Sequence, residues 1–554
     1  MASAFLALAW LLPNANPPWV AFHKDALVAL VALLVASALI ARQVHRRRPW
    51  RVDIVSGLLL VLACATMLQW VFGQIHFFGH ATVGALYLSG AAVAILIGRG
   101  WEEDAPDHFA EFLYPAFLIG AICTVGLMLT QWLRLDLSDV WVNYLRPGGR
   151  PFGNLVQANN AATLLLLGLV GLHWLAFSGR VRKPILIIAG GFLLFGLALS
   201  GSRIGYLSFV VISCAGIALG FRYDELKSWR NSLMILLAIF VASILLLNLD
   251  LGVVSFKSGD IRPAAFDREL TGVRMIVYEA YIHAIAESPW TGYGFEQGAK
   301  TQIAAAMLGY EIPGLFTWSH SLVLDLMAWY GIPIAVVVGM AALLTAWHIF
   351  RNGRFRLNYA VHISCLIVVL MHGMVELPLA YGYFLLPFCL ILGAILAKTS
   401  MPAIEVPWPP VAAMFLCISI SFALVVVDYF RIESAFYTWR FKQARIGKNH
   451  PMDIPDVFLL GQFRAHLVGL RGSSATLSSE ELTDYEQSVF LNPSPVAMVH
   501  LTELHLKGGD VARAQYTADW SRFLGAPMVR ESMAGEWGRR GRLDPIYQKV
   551  VWRE

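Results

Sequence analysis

Long apolar stretches separated by short polar clusters occupy most of the chain up to residue 428. Several of these stretches approach the roughly 20 residues that a helix needs to cross a bilayer. Their residues do not alternate between apolar and polar, as the strands of a membrane barrel do, so the pattern predicts helices. By this length criterion there are about thirteen candidate spans, of which the first and the eleventh are short. The candidates cover residues 2–13, 25–42, 52–72, 81–98, 110–132, 156–177, 184–200, 204–221, 231–249, 321–350, 357–371, 383–398 and 410–428.

Basic residues collect in alternate loops between these spans. The loops that carry them are 42–51, 180–183, 222–230 and 351–356. If the spans simply alternate, all of these loops lie on one side of the membrane, and an excess of Lys and Arg is typical of cytoplasmic loops. The pattern therefore predicts a cytoplasmic N-terminus, an outward C-terminus and three outward polar segments. These segments are 133–155, 250–320 and 429–554.

The predicted fold class is all-α. We expect a polytopic integral membrane protein with about 13 transmembrane helices, a long periplasmic loop and a small C-terminal periplasmic helical domain. The transmembrane domain covers 1–428, including the long outer loop, and the C-terminal domain covers 429–554. Within the C-terminal domain, residues 493–525 predict two amphipathic helices joined at Gly508-Gly509, which is a tetratricopeptide-like helix pair.

Composition supports a membrane protein and excludes some partners. Hydrophobic residues make up 57% of the 554 residues and charged residues only 14%, whereas soluble proteins carry roughly a quarter charged residues. The net charge of +5 comes from basic clusters between apolar stretches. This is the pattern of cytoplasmic loops, and no nucleic-acid partner is expected. All six cysteines fall inside apolar stretches, so they predict packing residues and no disulfide framework.

Two polar clusters stand at the predicted outer ends of spans. The first contains Gln157, Asn159 and Asn160 in the run RPFGNLVQANN, and it has more amides than capping one helix requires. Helix capping combined with interhelical hydrogen bonds is the alternative interpretation. The second cluster, SGSR, ends at Arg203 with apolar residues on both sides. Charged groups at membrane depth are costly and usually functional, but an arginine can also extend its head to the interface.

The long outer loop forms a third cluster, which carries Arg274 and ends at His320, where the tenth span begins. We expect His320 in the first turn of that helix, capped by Thr317 or Ser319. A helix N-terminus disfavours imidazolium, so a neutral imidazole there would be a competent general base near pH 7. On position alone, a structural role for a single interfacial histidine is the more common one.

The fourth cluster is the run HGMVELPLAYGY, which follows the eleventh span. His372 and Glu376 are four residues apart and so share a helix face. The spacing fits a metal pair, but no third ligand is evident, so we predict neither a metal nor another cofactor. Tyr381 and Tyr383 fit either this polar cluster or an interfacial belt of aromatic residues.

Five motifs along the chain together resemble bacterial O-oligosaccharyltransferases of the pilin-glycosylating, PglL-like kind. The matching runs are RPFGNLVQANNAATLLLLGL, LALSGSRIGYL, LTGVRMIVYEAYIHAIAESPWTGYGF, WSHSLVLDLMAWYGIP and MHGMVELPLAYGYFLLP. They occur in the family's order and with matching topology, and the similarity covers the chain from the Pro-rich first loop to the C-terminal helices. The wider superfamily includes O-antigen ligases and Wzy-type polymerases, which all take glycan from a polyprenyl diphosphate carrier.

The resemblance implies a multi-pass glycosyltransferase of the bacterial inner membrane with its active site facing the periplasm. It implies that His320 is the essential base and that Arg203 and Arg274 contact the donor diphosphate. The remaining candidates would orient the glycan, the acceptor or one another. These are Gln157, Asn159, Asn160, His372, Glu376, Tyr381 and Tyr383.

This sequence departs from the family pattern beside the histidine. The usual Asn after the histidine is Ser321, and the acidic residue often found before the later Gly is replaced by Trp329 or Tyr330. Neither departure removes a group assigned to chemistry. They leave open which side chain orients His320.

The partners implied are a polyprenyl diphosphate-linked oligosaccharide, a pilin-like or periplasmic acceptor protein, and the lipid bilayer. The reaction would invert the anomeric centre and need no metal. An O-antigen ligase acting on a lipid A–core sugar is the main alternative, followed by a polysaccharide polymerase. A transporter is a fourth interpretation, but transporters usually show repeated halves with broken helices, and no such repeat is evident here.

Overall fold

The computed structural model of the protein describes residues 2–135, 140–248, 269–310, 312, 314–353, 356–447, 453–471, 477–521 and 527–552. Parts of all three predicted outer segments lie outside the described residues, namely 136–139, 250–268, 311, 313, 448–452, 472–476, 522–526 and 553–554. The chain forms two compact units, each discontinuous in sequence. The first unit comprises Met1–Leu59, Gly90–Asp267 and Ala341–Leu416, and the second unit comprises Leu60–Ser89, Arg268–Met340 and Cys417–Glu554.

Helices dominate the regular structure of the described residues, which confirms the all-α prediction. They are α1 Ala2–Leu11, α2 Phe22–Arg46, α3 Ile54–Val71, α4 Phe78–Asp104, α5 His108–Trp132, α6 Ala158–Phe177, α7 Lys183–Ser200, α8 Arg203–Arg222, α9 Lys227–Asn248, α10 Glu269–Glu287, α11 Gly298–Met307, α12 Leu322–Tyr330, α13 Ile332–Asn352, α14 Leu357–Gly373, α15 Gly382–Lys398, α16 Trp408–Gln443, α17 Gly461–Arg471, α18 Ser479–Leu491, α19 Pro495–Lys507, α20 Val511–Ser521 and α21 Pro527–Leu543. Two short strands, β1 Trp50–Asp53 and β2 Ala403–Val406, pair antiparallel with Trp50 opposite Val406.

Within the described residues, 10 helices are long and apolar enough to cross a membrane, which confirms the polytopic architecture. These are α2 to α9, α13 and α16. Three shorter apolar helices, α1, α14 and α15, correspond to the first, eleventh and twelfth predicted spans. The count of about thirteen crossings therefore stays a prediction.

The predicted span 321–350 is wrong as a single helix. α12 has 9 residues and ends at Tyr330, Gly331 follows with a φ of 82°, and α13 then begins at Ile332. The apolar pattern does not reveal the break because both flanks are equally apolar. α12 is consequently not among the candidate spans, and only α13 is long enough to cross.

The last predicted span, 410–428, is too short. α16 runs without interruption for 36 residues and ends at Gln443. It therefore continues through the predicted boundary between the transmembrane and C-terminal domains. That boundary stays a prediction.

α6 is the most buried of the candidate spans of the first unit, with 89% of its most apolar 18 residues buried. It packs closely on α5 because glycines face that helix. A Cβ added at Gly168 would lie 2.4 Å from the Cβ of Ala121, and one at Gly171 would lie 2.9 Å from the carbonyl oxygen of Tyr114. Small residues at such contacts let helix backbones approach each other in a bilayer. The close packing fixes where the N-terminus of α6 lies.

Ion pairs connect the helix ends of the first unit that are predicted to be cytoplasmic. Lys398 Nζ lies 2.6 Å from Glu102 Oε1 and 2.9 Å from Asp107 Oδ1. These contacts join the ends of α4 and α15 to the start of α5, and the strands β1 and β2 pair in the same unit. The alternating topology assigns all of these ends to the cytoplasmic side, so the contacts are consistent with it.

In the second unit, the outer loop is bound to the end of α12 through backbone hydrogen bonds. The Tyr293 N–H donates to the carbonyl of Ala328 over 2.6 Å, and the Ile332 N–H donates to the carbonyl of Pro289 over 2.7 Å. Gly292 and Gly331 allow this approach. A Cβ at Gly331 would lie 2.4 Å from the carbonyl carbon of Trp290.

The C-terminal part of the second unit contains the predicted helix pair. α19 ends at Lys507, α20 begins at Val511, and Gly509 in the connection has a φ of 87°. The prediction of two helices joined at Gly508-Gly509 is thus confirmed. A buried carboxylate orders the chain before α17, because Asp428 accepts from the backbone N–H groups of Phe458, Leu459 and Leu460.

We predict that Gly331→Ala destabilises the protein by about 1–3 kcal/mol, because Ala must adopt a positive φ against the Trp290 backbone. Gly339→Ala is the matched control: Gly339 lies in α13 with nothing within 4 Å of an added Cβ. The control should be neutral or slightly stabilising, since Ala favours helix over Gly. Thermal unfolding in detergent measures both variants. Equal melting temperatures would show that the junction of α12 and α13 is not constrained as described.

Candidate active site

The polar residues predicted at separate points of the sequence converge at the N-terminus of α6 in the first unit. Asn159 Nδ2 donates to Glu376 Oε1 over 3.1 Å, and Asn160 Nδ2 donates to the hydroxyl of Tyr383 over 3.2 Å. One turn further along α6, Thr163 Oγ1 lies 2.7 Å from His372 Nδ1. The structure thus brings together five of the predicted site residues around one helix end.

α14 ends at Gly373, so Glu376 lies beyond the helix rather than on a helix face shared with His372. A hydrogen bond from the Glu376 N–H to the His372 carbonyl, 2.9 Å long, continues the turn. Asn159 contacts Glu376 and Thr163 contacts His372, and these two residues of α6 are four positions apart. His372 and Glu376 therefore contact adjacent positions on α6. Among the described residues, no group of three or more His, Cys, Asp and Glu is placed to hold a metal ion.

Helix capping does not account for the amides before α6. Gln157 occupies the N-cap position with its side chain half-buried, yet it makes no side-chain capping bond. Asn154 holds the preceding loop instead: its Nδ2 donates to the carbonyls of Leu11 and Trp141, and its Oδ1 accepts from the Asn143 N–H. Asn154 is therefore a loop anchor, whereas Asn159 and Asn160 contact the polar cluster.

Asp25 is a site residue that the sequence analysis missed. Tyr381 and Tyr383 stack on each other, with ring centroids 5.1 Å apart. The buried carboxylate of Asp25 accepts from the Tyr383 N–H over 3.1 Å, and Gly382 packs against it. An acidic side chain at a helix N-terminus is stabilising. Asp25 thereby fixes the start of α15 and with it the tyrosine pair. Its signal in the sequence was only a charged residue at the start of an apolar span.

Arg203 is the first residue of α8, and its side chain is exposed rather than surrounded by apolar residues. The preceding Ser202 caps α8 by accepting from the Gly205 N–H over 3.1 Å. The same hydroxyl donates to Asn159 Oδ1 over 2.8 Å. Ser202 therefore ties the position of Arg203 to the polar cluster on α6.

His320 lies in the second unit, and its predicted place in the first turn of a helix is wrong. α12 begins at Leu322 with Ser321 at the N-cap position, so His320 precedes the helix. Neither Thr317 nor Ser319 caps α12. The Ser319 hydroxyl donates to the Ser321 carbonyl and accepts from the Ser321 N–H, which forms a tight turn around His320. His320 itself has a positive φ of 61°.

One face of α10 contacts this turn. The Tyr278 hydroxyl donates to the His320 carbonyl over 3.2 Å, and the Tyr281 hydroxyl donates to the Phe316 carbonyl over 3.0 Å. Arg274 lies four residues before Tyr278 and seven before Tyr281. Residues at this spacing share one face of a helix. Arg274, half-buried, is therefore on the face of α10 that supports the His320 turn.

A second residue that the sequence analysis missed is Asp325 of α12. It is buried, with 1% of its surface exposed, and its Oδ1 accepts from the Ser319 N–H over 2.7 Å. Burial raises the pKa of Asp325 to about 6, while the Ser319 hydrogen bond and the neighbouring His320 act in the opposite direction. A carboxylate within an apolar helix thus stands beside the predicted base.

Comparisons with known proteins indicate what the chain is similar to. Residues 188–339 match the O-antigen ligase family, and residues 359–523 match the C-terminal region of a virulence factor membrane-bound polymerase family. The chain is 27% identical over 540 residues to a general O-oligosaccharyltransferase of Acinetobacter baylyi, which covers 93% of this chain and 90% of the relative. It is 22% identical over 392 residues to a ComP-specific O-oligosaccharyltransferase of the same organism, covering 71% and 69% of the two chains.

These matches, together with the apolar helices, indicate a membrane glycosyltransferase that is similar to the O-antigen ligase family over residues 188–339. Within that class, the resemblance drawn from the five motifs is confirmed: the chain is similar over 93% of its length to an O-oligosaccharyltransferase. The O-antigen ligase match spans Arg203, Arg274 and His320, and the polymerase match spans the cluster from His372 to Tyr383.

We predict that two amides of the RPFGNLVQANN run differ in their contribution to stability. Asn154→Ala should lower the free energy of unfolding by about 1–3 kcal/mol, because buried backbone groups lose their partners. Gln157→Ala should leave the melting temperature unchanged, since its side chain makes no capping bond. Thermal unfolding of the two purified variants tests this contrast. A Gln157→Ala variant as unstable as Asn154→Ala would show that Gln157 is structural.

Proposed function

We propose that the protein moves a preassembled glycan from a polyprenyl diphosphate carrier to serine or threonine hydroxyls of periplasmic or pilin-like proteins. Both of these relatives are named O-oligosaccharyltransferases, one of them general and the other ComP-specific. This supports protein O-glycosylation. The observation that carries the proposal is the convergence of Asn159, Asn160, His372, Glu376 and Tyr383 at one helix end, tied through Ser202 to Arg203.

We place the site on the periplasmic side of the inner membrane. The Lys- and Arg-rich loops and the contacts that join Lys398, Glu102 and Asp107 both belong to the ends predicted as cytoplasmic. The polar cluster belongs to the opposite ends of the same helices. A lipid-linked donor has its diphosphate at the membrane interface, where these side chains would meet it.

Arg203 and Arg274 would bind the donor diphosphate. The planar guanidinium group donates two parallel hydrogen bonds that match phosphate oxygens. When the bond between the anomeric carbon and the diphosphate oxygen breaks, negative charge develops on the leaving oxygen. Positive side chains already in place stabilise that charge without reorganisation, so the step needs no metal in principle. The joint action of the two arginines on one diphosphate rests on the family resemblance.

His320 would accept the proton of the acceptor hydroxyl. The hydroxyl oxygen forms a bond to the anomeric carbon from the side opposite the diphosphate, which leaves with the bonding electron pair. The configuration at that carbon is therefore inverted. Gln157, Asn159 and Tyr383 would orient sugar hydroxyls or the acceptor, and Glu376 would fix Asn159, to which it is hydrogen-bonded.

An O-antigen ligase is the second candidate, because residues 188–339 match that family. Both candidates share the donor and differ in the acceptor. Co-expression with a lipid-linked glycan, in cells that lack their own ligase, separates them. We expect glycan on a pilin-like protein. Glycan only on lipid A–core would favour the ligase, and glycan on neither acceptor would contradict both.

We predict that His320→Ala inserts normally and still binds the lipid-linked donor but transfers glycan about 10²–10⁴ times more slowly, since removal of a general base typically costs this much. His283→Ala is the matched control, because His283 lies on α10, is exposed and stacks on Tyr310. Donor binding and transfer are measured together in both variants. Transfer by His320→Ala at the rate of His283→Ala would remove His320 as the base.

We predict that Arg203→Lys and Arg274→Lys lose most transfer while inserting normally, because lysine keeps the charge but not the paired hydrogen bonds. Arg146→Lys, an exposed residue of an outer loop, is the control and should behave like the wild type. Initial rates at varied donor concentration measure the effect. Near-normal rates for both variants would contradict the diphosphate assignment and leave these arginines with a structural role.

A further inference from the structure

The turn that carries His320 is held in an unfavourable backbone conformation. His320 has a φ of 61°, and a left-handed conformation costs a residue other than glycine about 1–3 kcal/mol. Such a conformation persists only where surrounding contacts determine it. Three contacts do so here, through the backbone of Ser319, of His320 and of Ser321.

The contact made by Asp325 differs from the other two. The Ser319 hydroxyl closes the turn on Ser321, and the Tyr278 hydroxyl donates to the His320 carbonyl, but both of these groups are neutral. Asp325 Oδ1 accepts from the Ser319 N–H over 2.7 Å and brings a carboxylate to the residue next to His320. Its Oδ2 is buried and has no hydrogen-bond partner within the described part of the chain.

We propose that Asp325 is a positioning residue for His320: its carboxylate fixes the strained turn and stabilises the imidazolium that forms when His320 takes the acceptor proton. This inference rests on the proposed function of His320. The inference also bears on the acidic residue that the family often has before the later Gly and that Trp329 or Tyr330 replaces here. In this chain an acidic residue, Asp325, lies about one helical turn earlier on α12. Asp325 and His320 interact electrostatically, and a nearby opposite charge favours the charged form of an imidazole.

Few other titratable groups act on Asp325 from the elements that pack against α12. α10 presents Tyr281, whose hydroxyl donates to the carbonyls of Phe316 and Gly298, and Tyr278, which donates to His320. The cation of α11, Lys300, donates to the Gln74 carbonyl. His320 is therefore the titratable partner through which the charge of Asp325 acts on the reaction.

Two variants separate the charge of Asp325 from its hydrogen bond. Asp325→Asn keeps an oxygen that accepts from the Ser319 N–H but removes the charge. Asp325→Ala removes both. Glu480→Gln, an exposed carboxylate of α18, controls for the loss of one negative charge. The full-length protein in detergent is assayed for kcat and kcat/KM over pH 5–9, with donor binding and thermal unfolding measured alongside.

The imidazolium loses stability when the carboxylate is removed, so His320 gives up its proton at lower pH. The acid limb of kcat/KM should move down by roughly one pH unit in Asp325→Asn, which is the lower end of the effect of a nearby opposite charge. Asp325→Ala should also lose about 10²-fold in kcat, because the turn is no longer fixed and the base is misplaced. Donor binding should be unchanged in both.

An unchanged acid limb in Asp325→Asn, with wild-type kcat, would overturn the inference even if Asp325→Ala failed to fold. His320→Ala in the same assay separates this failure from failure of the proposed function. If His320→Ala is inactive and Asp325→Asn behaves like the wild type, His320 remains the base and Asp325 is not its partner. If His320→Ala is active, the proposed mechanism fails as well.

Discussion

Hydrogen bonds from two consecutive amides at the start of α6 fix the geometry of the first unit's polar cluster. Asn159 links Glu376 to Ser202, and Asn160 reaches Tyr383. Side chains in apolar surroundings must find partners within the protein, because an unsatisfied buried polar group is costly. The amides therefore link the start of α6 to the starts of α8 and α15 and to the segment that follows α14. The position of Arg203 depends on this cluster through Ser202.

In the second unit, several contacts fix the position of the turn that carries His320. Backbone hydrogen bonds bind the Tyr293 segment to the end of α12, and the glycine at position 331 allows the close approach. The face of α10 that carries Arg274 supports the other side of the turn through Tyr278 and Tyr281. Rigid support of a catalytic group is favourable because small displacements of such a group are expensive in rate.

Much of the fold follows from the sequence, since apolar stretches of bilayer length and the bias of Lys and Arg depend only on composition and order. The break at Gly331 does not, because the apolar stretch continues through it. The candidate residues of the site could also be predicted from the sequence, because polar groups at the ends of apolar stretches are rare. Their hydrogen-bond partners could not be predicted in this way. Asp25 contacts the polar cluster of the first unit, and Asp325 contacts the His320 turn of the second unit, through packing that the sequence does not reveal. The role of Asn154 as a loop anchor likewise depends on the positions of Leu11 and Trp141.

The central claim is that the polar cluster and the His320 turn both face the periplasm. Side-specific labelling of single cysteines tests it directly, in a variant that lacks the six native cysteines. Leu135→Cys probes the outer end of α5, Thr291→Cys probes the outer loop, and Ser228→Cys probes a basic loop; all three positions are exposed. A membrane-impermeant thiol reagent should label residues 135 and 291 in intact spheroplasts and residue 228 only after the membrane is opened. Labelling of 135 and 291 from opposite sides would contradict the account.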